Sequence, residues 1–370
     1  GGEDNSGFVV GGNLVGSVAP IEERRSPESL VIYEMMVDDF VENLPGDRTT
    51  RNKIDLVTDH VDYLESLGVS ALQPMPWTAV PGGGFNWGYE PWLFFSVDER
   101  LTERDGVPPE DNVDQLFSLK TLIEALHAKG IQVIMDGVFN HAGSQFPYLQ
   151  LYQNREDCPY IGFFVEEAFF EDIDFDNGCA QQFIFDACKY WIDRFQIDGI
   201  RFDYVRGFFE RTTGARGITT LIANLRQHLL DTERPNFSLI LENLPDNRFR
   251  AIDDVNHINA TGTWFDPLMF EAFESGRERR MRTSLMRKLN TKKYFALGKG
   301  PITYIENHDH GTVVNKVGGG FVGVSRADNW FRTQPYAIAL LTSPGAVMIH
   351  NGQEFGDEYF IPEAGSDRVV

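Results

Sequence analysis

Gly199-Ile-Arg-Phe-Asp-Tyr-Val-Arg206 decides how this chain of 370 residues is read. It is an apolar, strand-like run. Residues two apart on a strand share a face, so Arg201 and Asp203 project together while Ile200 and Phe202 pack the other way. An aspartate beside a permanent cation is held ionised, and an ionised carboxylate at a strand end can attack carbon or steady a cation. Taken alone, such a pair is more often a buried structural ion pair. Three further stretches have the same form, an apolar run ending in polar, chemically capable residues: Ile131-Gln-Val-Ile-Met-Asp-Gly-Val-Phe-Asn-His141, Phe237-Ser-Leu-Ile-Leu-Glu-Asn243 and Pro301-Ile-Thr-Tyr-Ile-Glu-Asn-His-Asp309.

Four strand ends converging on carboxylates and histidines predict a parallel barrel, whose active site lies where the C-terminal ends of the strands meet. In chain order, DGVFNH, GIRFDYV, the glutamate of LILEN and ENHD resemble the four short signatures of the alpha-amylase family of glycoside hydrolases, known as family 13. The resemblance covers about residues 30 to 360, and four ordered motifs carry far more than any one of them. It implies a (β/α)8 TIM barrel with an insert after the third strand.

The pattern along the chain agrees. Residues 1–29, rich in Gly, Ser and charge, read as an N-terminal linker or extension, and residues 30–370 as the barrel, with an insert at about 140–178. Leu30-Val-Ile-Tyr-Glu-Met-Met gives a first strand, Asp55 to Leu67 an amphipathic helix closed by Gly68, and Ala71-Leu-Gln-Pro74 a second strand. Helices are predicted over 113–129, 179–195, 217–232, 267–288 and 330–341, with a sixth strand near Thr263-Trp264 and a last one from Ala346 to His350. Strands alternating with helices about eight times mean a parallel barrel. The small beta domain that usually follows the barrel in this family is expected to be absent, since the chain stops at Val370.

A net charge of −22 argues against nucleic acid and anionic membranes as partners, because both are polyanions. A neutral alpha-glucan is not repelled. No apolar run is long enough to span a membrane and no signal peptide is visible, so the location leans cytoplasmic, although the Gly1-Gly2 start reads as a trimmed end. Three cysteines make a disulfide framework unexpected, Cys158 and Cys179 being the pair whose spacing allows a bond.

Retaining cleavage of a glycosidic bond takes two carboxyl groups about 5 to 5.5 Å apart, one ionised to attack and one protonated to donate. Asp203, beside Arg201, suits the nucleophile, and Glu242, with no cation adjacent in sequence, suits the general acid. The resemblance implies the same roles and adds Asp309 as the third carboxylate, steadying the transition state. It also implies that His141 and His308 bond sugar hydroxyls and that Tyr89, in the Phe85-Asn-Trp-Gly-Tyr89 loop, stacks on the sugar. Arg201 and Arg206 are further binding candidates; where many amylases have lysine and histidine after the second motif, this chain has Arg206 and Gly207. Asp136 is expected to support the barrel floor. No cofactor is required for the chemistry. The resemblance leaves a structural calcium open at Asn140 and Asp172, while Asp172, Asp174 and Asp176 lack the glycine and closing glutamate of an EF-hand and read as a solvated turn.

The expected activity is retaining hydrolysis of alpha-glucosidic bonds, mainly alpha-1,4, in starch, glycogen or maltooligosaccharides. The same residues would serve a branching transglycosylase or a debranching enzyme. An inactive glucan-binding protein is the non-enzymatic alternative, against which the intact Asp203, Glu242 and Asp309 argue.

Overall fold

A computed structural model describes residues 16–82, 86–108, 115–162, 170–205, 217–278, 280–318 and 326–357. Eight parallel strands close a barrel: β1 (Val31–Met35), β2 (Ala71–Pro74), β3 (Gln132–Gly137), β4 (Gly199–Phe202), β5 (Ser238–Leu241), β6 (Gly262–Phe265), β7 (Gly300–Thr303) and β8 (Ala346–His350). Each pairs with the next in chain order, and β8 returns to β1. The strands are near-continuous apolar runs because both faces are covered, by the lumen filling and by the outer helices. Ile32, Ala71, Ile134, Ile240, Ile302, Ala346 and Met348 fill the lumen as one buried cluster. Each of these Ile and Met side chains contributes about 1.5–3 kcal/mol by leaving water, and each Ala less.

The helices start and stop where local chemistry dictates. Asn52 caps helix Lys53–Asp59 by accepting from the Asp55 N–H, while the Asp55 carboxylate reaches back to the Asn52 N–H. The helix predicted over Asp55 to Leu67 is two helices, Lys53–Asp59 and Val61–Ser66, broken at His60. There the His60 Nδ1 bonds the Leu56 carbonyl at 2.8 Å, taking the acceptor its own backbone N–H would have used. Helix Gly178–Phe195 is capped by Asn177 and stopped by Gln196 in the left-handed conformation. Likewise the helical span expected over Pro267 to Lys288 divides into Pro267–Glu278 and Ser284–Lys288.

The N-terminal segment differs from the sequence reading. Residues 16–29 do not run free as a linker: Val18 and Ile21 are buried, and Arg24 Nε donates to Asp198 Oδ1 at 2.7 Å. Asp198 precedes β4 and also receives His127 Nε2–H and the Val133 N–H, both at 2.9 Å, so this segment seals the end of the barrel opposite the motifs. The three cysteines are all free, so Cys158 and Cys179 are not bonded.

After β3 the chain forms a short antiparallel pair, His141–Ala142 with Glu171–Asp172, backed by Phe146, Tyr148 and Tyr160 against Phe183 of helix Gly178–Phe195. Among the described residues no helix is long and apolar enough to cross a membrane.

Candidate active site

The barrel register sets the site. Asp136 on β3 lies level with Arg201 on β4, and both point into the lumen where water cannot reach them. The guanidinium of Arg201, fully buried, gathers three carboxylates: Nη1 meets Asp136 Oδ1 at 2.5 Å and Asp203 Oδ1 at 2.8 Å, and Nη2 meets Glu242 Oε2 at 2.8 Å. Its face lies over the Trp264 ring, 4.2 Å from the centroid, a cation–π contact from β6. Arg201 is thus the hub that draws β3, β4, β5 and β6 onto one point.

Two expectations change with this geometry. Glu242 does have a cation at hand, and Asp203 does not own its arginine. One guanidinium serves three acids, so burial and mutual repulsion outweigh it, and both Asp203 and Glu242 take up a proton more readily than ordinary carboxylates. The charge of Glu242 is among the causes that raise Asp203, and two neighbouring acids that repel in this way favour the arrangement in which one carries a proton while the other stays charged. Asp136 stands at this site rather than at the barrel floor, since it also accepts the Tyr89 hydroxyl at 2.8 Å.

The turn after β4 is strained in a useful way. Tyr204 has φ 38°, in the left-handed region that a tyrosine seldom adopts, and its N–H donates to Glu242 Oε2 at 2.7 Å. Asp203 and Glu242 are thereby tied through the backbone as well as through Arg201.

Tyr89 and His308 stack, with ring centroids 5.1 Å apart and planes 20° off parallel, and Trp87 meets His308 edge-on at 5.8 Å. Gly88 lets this loop pass: its φ is 93°, and a Cβ there would lie 2.5 Å from the Pro76 carbonyl oxygen. His141 is buried and its Nε2 lies 2.6 Å from the Tyr89 carbonyl, so Nε2 must carry a hydrogen. Burial pulls its pKa down to about 4, leaving it neutral at pH 7.

Asp309 is the open member of the group, with its side chain 42% exposed, facing the mouth. Desolvation opposes its charge, but His308 Nε2, 3.2 Å from Oδ1, holds its pKa below the usual carboxylate value. Arg206 lies outside the described residues. The site therefore brings together Tyr89, His141, Arg201, Asp203, Glu242, His308 and Asp309.

Sequence reasoning missed Glu34, His350 and Trp264. Glu34 ends an apolar strand as the motif carboxylates do, a signal that was available. Trp264 gave none, as its strand carries no charged group to mark it.

Asn140 is wholly buried and its side-chain amide has no hydrogen-bond partner among the described residues, which suits a cation ligand, and the buried Asp172 lies in the strand paired with His141. Two oxygens fall short of the six to eight that calcium takes. Among the described residues no group of three or more His, Cys, Asp or Glu is placed to hold a metal.

The resemblance read from the four motifs holds in comparison with known proteins. The profile described as Alpha amylase, catalytic domain, matches residues 46–172. A pullulanase of Bacillus subtilis is 23% identical over 94% of this chain and 53% of its own length. A malto-oligosyltrehalose trehalohydrolase of Saccharolobus solfataricus is 23% identical over 93% of this chain and 60% of its own. The chain thus spans little more than half the length of these curated relatives. Among solved structures, the type I pullulanase of Bacillus subtilis complexed with maltose superposes with TM-score 0.75 at 21% identity, covering 96% of this chain and 54% of that one. An Anoxybacillus alpha-amylase superposes with TM-score 0.71 at 18% identity, covering 92% and 74%. These likenesses show the barrel fold.

Proposed function

We infer that this chain is a catalytic barrel of the alpha-amylase family and that it hydrolyses alpha-glucosidic bonds with retention of configuration. The observation that carries this reading is the single guanidinium of Arg201, which lies 2.8 Å from an oxygen of Asp203 and 2.8 Å from an oxygen of Glu242 and so brings the two acids to one point at the barrel mouth.

Asp203, ionised, attacks the anomeric carbon while Glu242 gives its proton to the departing glycosidic oxygen; the sugar stays bound to Asp203. Glu242, now a carboxylate, takes a proton from water, which attacks the same carbon and releases Asp203. The Tyr204 N–H and Arg201 stabilise the charge that Glu242 acquires between the two steps. Asp309 and the ring of His308 face the sugar, and Tyr89 offers an aromatic face to it.

The bond cleaved is the finer question. The sequence reading favoured alpha-1,4 bonds, whereas a match to a pullulanase across 94% of this chain, with Arg206 and Gly207 after the second motif, favours alpha-1,6 debranching. Release of reducing ends from maltoheptaose and from pullulan, beside an Asp203→Asn control, tests the reading and divides the two specificities. New ends from either glucan, absent in the control, are expected. Disproportionation of maltoheptaose with no net gain of ends would make it a transglycosylase, and no change in either glucan would contradict catalysis.

A further inference from the structure

The end of β1 holds a buried carboxylate that the steps above do not use. Glu34 is 0% exposed and receives three N–H groups: His308 Nδ1–H to Oε1 at 2.8 Å, the His308 backbone N–H to Oε2 at 3.0 Å, and His350 Nδ1–H to Oε2 at 2.8 Å. A carboxylate only accepts, so each of these ring nitrogens carries a hydrogen. His308 is caught on both sides, because its Nε2 faces the Asp309 carboxylate at 3.2 Å. With Nδ1 bonded to one acid and Nε2 3.2 Å from another, the ring sits where an imidazolium is favoured.

We propose that Glu34 is a positioning residue for the reaction: it holds His308 charged and in one orientation, and His308 in turn fixes and keeps ionised the Asp309 carboxylate that faces the sugar. The inference rests on the hydrolytic reading above. It joins β1, β7 and β8 into one chain of charge, Glu34–His308–Asp309, with His350 as a second brace on the same acid.

The surroundings point the same way. Although burial works against a charged ring, Glu34 and Asp309 hold the His308 pKa well above that of an ordinary histidine. Burial likewise opposes the charge on Glu34, and the two histidines bring its pKa far down. The titratable and charged groups that face this chain include Tyr89, stacked on His308, Asp136 and Arg201 on β3 and β4, Glu242 after β5, and Tyr304 and His310 after β7. Asp136 and Glu242 add to the field that favours the imidazolium, and Arg201 opposes it.

Glutamine cannot replace Glu34, since one amide oxygen and one NH2 group cannot accept from three N–H groups. In Glu34→Gln, His308 loses its counter-ion and deprotonates at lower pH. The expected result is a loss in kcat/KM of about 10- to 100-fold, the scale on which removing the hydrogen-bond partner of a metal-bound histidine acts, and an alkaline limb of the pH profile moved at least about one unit toward acid. Glu34→Asp, which keeps the charge, is expected to restore part of the activity and bring the limb back. A limb that stays in place in a folded Glu34→Gln protein, judged by its thermal melt, would overturn the inference.

Long-range proton–nitrogen NMR of the histidine rings in the wild-type protein gives a reading independent of folding of the variant and of glucan turnover. An assigned His308 ring still doubly protonated well above pH 6.5 is expected, whereas one that titrates at or below that value would refute the role of Glu34. Absence of glucan hydrolysis would count against the proposed function alone, because the NMR result stands without substrate.

Discussion

Arg201 is the side chain on which the account turns. Its charge is shared among Asp136, Asp203 and Glu242, and no water reaches it. Replacement by methionine keeps most of the volume but leaves three buried acids without their cation. Removing one member of a buried ion network costs about 3–5 kcal/mol. The sign with pH follows from protonation: without Arg201 the buried acids are driven to take up protons, which costs more the higher the pH, so the loss is larger at pH 7 than at acid pH, where they are neutral already. Urea unfolding of Arg201→Met at pH 7 and at pH 4.5 is expected to show the larger deficit at pH 7, and equal deficits would contradict the hub. At this scale much was legible, because Arg201 and Asp203 two apart on a strand already placed an acid beside a base. The sharing was not legible, since Glu242 lies on another strand and only the barrel closure carries it to the same guanidinium.

At the scale of elements, β7 is joined to the helix after it by an acid from its own motif. Glu306 Oε1 accepts the Val313 N–H at 2.5 Å, at the first turn of helix Val313–Gly318, while Oε2 is buried with no hydrogen-bond partner among the described residues. Burial, with Asp357 and Glu354 adding to it, raises the Glu306 pKa from an ordinary carboxylate value to about 8. A folded-state pKa raised above the unfolded one means that its stability contribution is fully present below about 4.5 and is lost as pH rises to about 8. Each unit of that shift is worth about 1.4 kcal/mol. Glu306→Gln, neutral at every pH, is expected to be less sensitive than the wild type between pH 5 and 8 in thermal melts, and parallel curves would show Glu306 charged in the fold. The ENHD motif announced Asp309 and His308 but not this, because burial of a glutamate cannot be read from four letters. The same limit applies to the helix broken at His60, where apolar periodicity runs on but the ring takes a backbone carbonyl.

Across the whole molecule, alternating strands and helices announced the closed barrel, and the strand ends announced where its chemistry would gather. What composition concealed was the role of residues 16–29. Glycine and charge made them look like a linker, yet two apolar residues and one arginine suffice to bind them over Asp198. Removing residues 1–25 exposes the sites of Val18 and Ile21, each worth about 1.5–3 kcal/mol, and takes one partner from a fully buried carboxylate. A lower melting temperature is expected for the truncated chain, with the stereochemistry of hydrolysis unchanged because the motifs lie at the opposite end. An unchanged melting temperature would show that the segment adds nothing.

The central claim, that Asp203 and Glu242 work as nucleophile and acid in a double displacement, is tested most directly by the configuration of the first product. Proton NMR of the glucan that yields reducing ends, recorded before mutarotation, is expected to show the alpha-anomer forming first and no product with Asp203→Asn. A beta-anomer formed first would mean a single displacement by water, and Asp203 would then not be the nucleophile.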